Sequence, residues 1–329
     1  MLTSAKRFSR NVLGSIFGMA ALMLPHSGQA QQWMMATPYP ETNFHTQNIK
    51  TFIEDVKTAT GGKLVISLHA NQILFPMPEI KRAVRSGQAQ MGEILLSAYG
   101  NEDPFFEVDG IPMIAPGYAK AKALWVASKP MIERRFAEQG LKPLFSVPWP
   151  PQGFYTKKPI ETLSDLKGVK FRAYNVVTAR MAEIIGAIPV TVQQAEVPQA
   201  FTTGMVSSML TSAPTGVDTK AWEFSNFYYN VEVINNKNIV MVNQKALEAL
   251  DAATRQAVLE AAEKAERRGW ALSEKVMAET TQMLAKQGLK VEPGSAALKL
   301  ELDKLGATMT AEWAKRAGPE GAAMLKTLQ

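Results

Sequence analysis

The sequence predicts an α/β fold of two lobes, with a cleft between the lobes and one long helix spanning both. Three observations lead to this expectation. Short apolar runs of strand length alternate with longer segments of helical periodicity, which implies helices inserted between parallel strands. A proline-rich stretch at 148–151 divides this alternation into two halves. Residues 251–287 are rich in Ala, Glu, Lys and Leu and contain no proline, so they predict the long helix.

In the first half, the spacing of apolar residues predicts the helices and strands, and glycine or proline marks where they end. Helix 43–58 places Phe44, Phe52 and Val56 near one face, and Gly87 ends the helix that begins at Met77. The predicted strands and helices of this half are strands 31–35, 64–68, 91–96 and 141–147, and helices 43–58, 77–86 and 118–139, the last interrupted near Pro130.

The second half repeats the same order and ends in the long helix, for which Asp251 is the expected N-cap, Gly269 a point for a bend and Gly288 the stop. The predicted elements are strands 169–174, 188–192 and 207–211, one or two strands within 231–242 that return to the first lobe, and helices 178–185, 196–203 and 251–287. We accordingly expect lobe I to comprise 31–150 with 238–275, and lobe II to comprise 151–237 with 276–329.

A short internal repeat supports the two lobes. The spacing of Ile80, Val84 and Gly87 recurs at 197–204, and a strand follows each glycine four residues later. Each strand leads into a small polar loop, at 97–99 and 212–216. Ligands of open α/β sheets bind outside the carboxyl ends of strands, so the two loops are expected to face each other across the cleft. The alternative is that helix, glycine and strand follow one another in any α/β protein.

The composition excludes several classes of protein. Of the 329 residues, 46% are hydrophobic and 20% are charged, which is typical of a globular protein with a substantial core. The absence of cysteine excludes disulfides, thiolate zinc sites and cysteine nucleophiles. The net charge is +6, but three of these charges come from Lys6, Arg7 and Arg10, and no dense basic block lies elsewhere. Nucleic-acid binding is therefore not expected.

The first thirty residues have the pattern of an export signal. The basic residues precede an uncharged apolar run from Val12 to Leu24, and Gly28-Gln29-Ala30 supplies small residues where a signal peptidase cleaves. The run is shorter than the ~20 residues that a membrane span needs. We expect cleavage after Ala30 and a periplasmic mature protein.

No sequence motif indicates catalysis or a metal centre. The chain has no GxSxG elbow, no Walker loop and no GxGxxG after a strand. His45 and His69 lie in separate elements without metal-ligand spacing, so neither a metal nor a cofactor is expected.

Residues 165–204 carry a resemblance to a known family. Residues 165–172 read DLKGVKFR, residues 186–190 read GAIPV, and Glu196, Ala200 and Gly204 follow at fixed spacing. This order is similar to that of the DctP family, the extracytoplasmic solute receptors of tripartite ATP-independent periplasmic (TRAP) transporters. The resemblance implies a periplasmic-binding-protein-like fold, a non-catalytic role, and a small and a large membrane subunit as partners in uptake driven by an ion gradient.

Arg172 is the expected ligand anchor. It ends an apolar strand beside the predicted cleft, and a guanidinium binds a carboxylate through two parallel hydrogen bonds. The alternative is a structural salt bridge, and the resemblance favours ligand binding. Many family members place a second arginine where this chain has Gln152, when aligned on Pro159-Ile160. A single cleft arginine suits a monocarboxylate better than a dicarboxylate or sialic acid.

Further candidates for ligand contact are polar or aromatic residues in segments expected to form the cleft walls. They are Ser97, Asn175, Thr211, Ser212, Thr215, Tyr39, Tyr99, Trp149 and Trp222. Flat rings with a few polar groups suit an aromatic or otherwise flat acid, including 2-oxo and 2-hydroxy acids. A sugar-acid receptor, an exported α/β enzyme acting on organic acids and a sensory receptor without a transporter stay open as alternatives.

Overall fold

The computed structural model describes residues 1–2 and 30–328, and it contains two β-sheets with helices around them. The predicted export signal, except for Met1, Leu2 and Ala30, lies outside the described residues. The strands are β1 (Gln31–Ala36), β2 (Leu64–His69), β3 (Met91–Leu95), β4 (Leu141–Pro148), β5 (Gly153–Thr156), β6 (Lys170–Ala173), β7 (Ile188–Thr191), β8 (Ser208–Thr211), β9 (Phe227–Tyr229), β10 (Lys237–Asn243) and β11 (Lys290–Glu292). The helices are α1 (Phe44–Ala59), α2 (Met77–Ser86), α3 (Pro104–Glu107), α4 (Gly117–Ala137), α5 (Val176–Ile185), α6 (Val197–Thr202), α7 (Ala213–Asp218), α8 (Gln244–Glu248), α9 (Ala252–Lys286) and α10 (Ala296–Lys326).

One sheet contains the strands of the first half of the chain together with β10 from the second half, and the other contains the remaining strands. Sheet I has the order β2-β1-β3-β10-β4, and sheet II has the order β11-β9-β5-β8-β6-β7. The predicted two-lobed α/β fold is therefore confirmed. The lobe boundaries stay a prediction, because Phe105, Val108 and Ile111 from the first half pack in one cluster with residues of sheet II.

The expectation of purely parallel sheets is wrong. Strand β10 runs antiparallel to both β3 and β4, and β5 runs antiparallel to both β8 and β9. The physical reason is the connection. The chain passes from sheet I to sheet II between β4 and β5, and back again before β10, without a crossover helix. The strand that follows each crossing segment, β5 or β10, therefore runs antiparallel to its neighbours in the sheet that it joins.

These crossing segments lie side by side and join the two sheets. The amide of Trp149 donates to the carbonyl of Asn236, and the amide of Gln152 donates to the carbonyl of Ile234, at 2.9 Å each. The amide of Val233 donates in turn to the carbonyl of Gln152 at 2.9 Å. The two crossing segments thus run antiparallel to each other and together form the connection between the lobes.

Helix α9 links both halves, as the sequence predicts. It packs against α1 and β4 of the first half and against α7 of the second half. The helix begins after Asp251, whose side chain accepts a hydrogen bond from the amide of Thr254 at 2.9 Å. Gly269 lies where the helix approaches Val147, and a Cβ there would overlap the valine side chain. The glycine is thus explained by close packing.

Several local predictions are corrected by the structure. Pro130 does not interrupt α4, because the hydrogen bond that it removes would have joined Val126, and both residues are exposed to water. The predicted loops at 97–99 and 212–216 are short helices, a 3₁₀ turn at Leu96–Tyr99 and the six-residue α7. The prediction of one or two strands within 231–242 that return to the first lobe is confirmed by the single strand β10, which begins at Lys237 and lies between β3 and β4.

Within residues 1–2 and 30–328, none of the helices combines the length and apolar character that a bilayer crossing requires.

Candidate functional site

A cavity lies between the two sheets, beside the crossing segments. The volume of the cavity, counted as the space that the centre of a water molecule can occupy, is about 40 Å³. One enclosed water needs ~10–15 Å³ by the same measure. It is lined by Pro38, Tyr39, Gln72, Met77, Leu95, Trp149, Gln152, Arg172, Tyr174, Gln193, Gln194, Thr211, Ser212, Thr215 and Asn236. Among the described residues that line it, Arg172 is the one charged side chain.

Arg172 lies in β6 between β7 and β8, with 4% of its surface exposed. Its Nε donates to the carbonyl of Val192 at 2.9 Å, and its guanidinium carbon lies 4.8 Å from the centre of the Tyr174 ring. Across the described chain, no carboxylate forms a salt bridge with it. Burial lowers the pKa of Arg172 to about 10, so the side chain stays charged at neutral pH but carries a desolvation cost.

Gln152, Tyr174 and Asn236 form a closed hydrogen-bonded triangle in the cavity wall. The Tyr174 hydroxyl donates to Gln152 Oε1 at 2.7 Å, Gln152 Nε2 donates to Asn236 Oδ1 at 3.0 Å, and Asn236 Nδ2 donates to the Tyr174 hydroxyl at 3.2 Å. All three residues are buried. The triangle fixes the Tyr174 ring that lies against the guanidinium of Arg172. At Gln152, where many family members have a second arginine, it presents a neutral amide.

A second buried network supports Tyr39 and Trp149. The Tyr39 hydroxyl and the Trp149 indole both donate to Asn238 Oδ1, at 3.2 and 2.9 Å. Asn238 Nδ2 donates to Glu93 Oε1 at 2.8 Å. Burial raises the pKa of Glu93 to about 7 and lowers that of the neighbouring His45, while burial also raises the pKa of Tyr39. The tyrosine therefore stays a neutral donor, and the two rings are fixed by one asparagine.

Hydroxyl groups from the end of β8 and the start of α7 line the wall of the cavity on the side of sheet II. Thr211 ends β8, opposite Gly153 of β5. Ser212 is the N-cap of α7, and its hydroxyl lies 3.2 Å from that of Thr215. These small side chains offer both donors and acceptors without charge.

Of the predicted site residues, seven line the cavity: Arg172, Gln152, Thr211, Ser212, Thr215, Trp149 and Tyr39. Ser97 and Asn175 instead join the two halves, with Asn175 Nδ2 donating to Ser97 Oγ at 2.9 Å. Tyr99 and Asn175 line a neighbouring cavity that shares Met77, Tyr174 and Gln193 with the first. Trp222 packs against the hydrophobic cluster around Tyr155 and Phe201, away from the cavity.

Sequence reasoning did not find the amide side chains that line or support the cavity, chiefly Asn236, Asn238, Gln193 and Gln194. A usable signal existed for the first two. Residues 235–238 read NNKN within an otherwise apolar segment, and polar residues that interrupt a buried strand need partners. Gln193 and Gln194 follow β7 at its carboxyl end, which is the expected edge for a ligand site.

Comparisons with known proteins agree with this geometry. The family model described as bacterial extracellular solute-binding protein, family 7 (DctP), matches residues 35–316. The chain is 46% identical to DctP6, a Bordetella pertussis extracytoplasmic solute receptor binding pyroglutamic acid, over 91% of this chain and 99% of that chain, with a TM-score of 0.89. DctP7 of the same organism, also a receptor binding pyroglutamic acid, is 45% identical over the same shares with a TM-score of 0.90.

A third solved structure is a marine metagenome TRAP solute-binding protein specific for pyroglutamate. It is 38% identical over 91% of this chain and 99% of that chain, with a TM-score of 0.89. The predicted family is confirmed: the chain belongs to the DctP family of bacterial extracellular solute-binding proteins, which are substrate-binding receptors of TRAP transporters and not enzymes.

Proposed function

We propose that this receptor captures a small monocarboxylate, with pyroglutamate as the first candidate, by closing its two lobes around the ligand and Arg172. The observation that carries the proposal is the state of Arg172. Its guanidinium is buried, lines the cavity and has no carboxylate partner among the described residues. A buried cation needs an anion to offset its desolvation, and the ligand carboxylate supplies one.

The charge of the cavity supports one carboxylate and not two. Its described lining contains a single cation and no anion. The position considered for a second arginine holds Gln152, whose amide is engaged with Tyr174 and Asn236. A second ligand carboxylate would be buried against neutral groups, at a cost of several kcal/mol. A monoanion matches the single positive charge.

The remaining groups suit a compact ligand that both donates and accepts hydrogen bonds. Amides of Gln152, Asn236 and Gln194 and the hydroxyls of Ser212 and Thr215 can pair with a lactam N–H and C=O. Pyroglutamate combines such a lactam with one carboxylate in a five-membered ring. The three related receptors that bind it are 38–46% identical to this chain over 91% of its length.

The resemblance also supports a place for the receptor in the cell. We expect delivery of the bound acid to the small and large membrane subunits of a TRAP transporter, driven by an ion gradient. Cleavage after Ala30 would release the exported protein from its signal segment, and this position leaves β1 complete, because the strand begins at Gln31. The expected mature protein is periplasmic.

A thermal-shift screen of the mature protein against acids tests this function. The panel contains pyroglutamate, 2-oxo, 2-hydroxy, aromatic, dicarboxylic and sugar acids. A ligand at 100 times its dissociation constant adds about 2.7 kcal/mol of stability, so a selective shift with pyroglutamate or another compact monocarboxylate supports the proposal. The recovered ligand should be chemically unchanged. Shifts with dicarboxylates or sugar acids alone, or conversion of the acid, would contradict it.

A further inference from the structure

Asp218 does not line the cavity, yet it connects two residues on opposite sides of the cleft. It is the last residue of α7, and its Oδ2 accepts hydrogen bonds from Asn43 Nδ2 at 2.7 Å and from Gln194 Nε2 at 3.2 Å. Asn43 precedes α1, which packs beside sheet I, whereas Gln194 follows β7 of sheet II and lines the cavity.

The chemistry of the carboxylate fixes both amides. Its Oδ2 accepts both hydrogen bonds whether the carboxyl is ionised or carries a proton on Oδ1, so each amide turns its NH₂ group toward Asp218. The Asn43 orientation is independently fixed, because its Oδ1 accepts from the amide of His45 at 2.9 Å and so caps α1. With its NH₂ group committed, Gln194 keeps its carbonyl oxygen for other partners.

The geometry points to Asp218 as a latch that holds the lobes together over the bound ligand and positions Gln194 in the cavity wall. Opening the cleft would separate Asn43 from Asp218 and return the carboxylate to water. The latch rests on the proposed function, since it presumes a ligand that is captured by closure.

A latch of this kind makes closure depend on pH. Burial raises the pKa of Asp218 to about 6, and the hydrogen bonds from Asn43 and Gln194 offset only part of this effect. No charged group on α1, α7, α9 or the 193–194 segment contributes to this pKa. A carboxyl exposed by opening returns toward its ordinary pKa of about 3.9. The closed form therefore binds the proton more tightly, and acidification favours closure.

The first test measures pyroglutamate binding by titration calorimetry at pH 7 and pH 5. An α-carboxyl, with an ordinary pKa of about 3.3–3.7, stays ionised at both values. The affinity of the wild type should rise by as much as about ninefold at pH 5, if opening restores the ordinary pKa of Asp218. Asp218→Asn should lose this rise, whereas the exposed Asp303→Asn control should keep it. Glu93 and His45 are present in all three proteins, so any effect of their protonation cancels in the comparison.

The second test separates the latch from a purely structural role. Asn43→Ser keeps an N-cap for α1 but removes the amide that reaches Asp218. Stopped-flow fluorescence at pH 5, where the carboxyl of Asp218 in the closed form is mostly protonated and carries no buried charge, should show about tenfold faster ligand release in Asn43→Ser and in Asp218→Ala, and no further increase in the double variant. Additive effects of the two substitutions would overturn the latch.

If pyroglutamate does not bind the wild type at all, the proposed ligand fails and the latch is tested on the unliganded protein. Small-angle scattering should then show a more compact wild type at pH 5 than at pH 7, and no such change in Asp218→Asn. Equal pH responses in the two proteins, by either measurement, would overturn the latch.

Discussion

Replacing Arg172 by methionine separates ligand binding from the stability of the fold. The substitution keeps a long, mainly apolar side chain in β6 and removes the cation that faces the cavity. If the ligand carboxylate forms a buried ion pair with Arg172, losing one partner costs about 3–5 kcal/mol. This energy corresponds to an affinity for pyroglutamate that is weaker by about 150- to 5,000-fold.

The same substitution should leave the unliganded protein at least as stable as the wild type. Burial lowers the pKa of Arg172 to about 10, which corresponds to a cost on the order of 3 kcal/mol for keeping the charge at neutral pH. Methionine removes that cost. It also removes the hydrogen bond to the carbonyl of Val192, which contributes about 0.5–1.5 kcal/mol. The balance favours an unchanged or higher melting temperature without ligand.

Calorimetric titration and thermal denaturation of Arg172→Met together decide whether Arg172 binds the ligand or stabilises the fold. Arg267→Met is the matched control, because Arg267 lies on the exposed face of α9 with 70% of its side chain accessible. The control should bind like the wild type. Pyroglutamate affinity within fivefold of the wild type in Arg172→Met, or a large loss of unliganded stability, would refute the reasoning, since either result makes Arg172 a structural residue.

Three further predictions follow from the cavity and the core. Gln152→Arg would place a second cation in the cavity wall, and calorimetry should show pyroglutamate binding weaker by about tenfold or more; unchanged affinity would contradict the single-cation site. Gly269→Ala should lower the free energy of unfolding by about 1–3 kcal/mol through overlap with Val147, and an unchanged denaturant midpoint would show that α9 can move away. Burial raises the pKa of Glu93 to about 7 and lowers that of His45, so acidification from pH 7 to pH 5 stabilises the fold through the former and destabilises it through the latter. Glu93→Gln removes the first effect, and its melting temperature should fall more steeply over this range than that of the wild type; parallel curves would contradict the buried titration.

Elements with strong local signals were predictable from the sequence. Helix α2 runs from Met77 to Ser86 as predicted, because a proline occupies its first turn and Gly87 adopts the left-handed conformation, with φ of 80°, that ends it. The start of α9 likewise follows from the capping side chain of Asp251. Both signals act within a few residues, so no tertiary information is needed.

Elements that depend on long-range pairing were missed. Strand β5 has only four residues and follows a proline-rich stretch, and it exists because it pairs with β8 and β9 from distant parts of the chain. Helix α10, by contrast, has a local signal in its N-cap Ser295 and contains no proline before Pro319, yet the predicted elements omit it. Strand β5 is specified by its neighbours in space.

The candidate site shows the same division. Arg172 and Gln152 were identified because a motif and its spacing single them out. The run NNKN at 235–238 indicates that Asn236 and Asn238 need buried partners, but the side-by-side packing of the crossing segments is what places their amides in the cavity wall and beneath it. Neutral polar side chains carry no periodicity of their own, so their roles follow from the fold.

The most direct test of the central claim compares pyroglutamate with 2-pyrrolidinone, the same lactam ring without the carboxylate, in titrations of the mature protein. The account predicts saturable binding of pyroglutamate and no measurable binding of 2-pyrrolidinone, because only the former supplies an anion to the buried Arg172. Equal affinity for the two compounds would show that the ring and not the carboxylate is recognised, and would contradict the proposed role of Arg172.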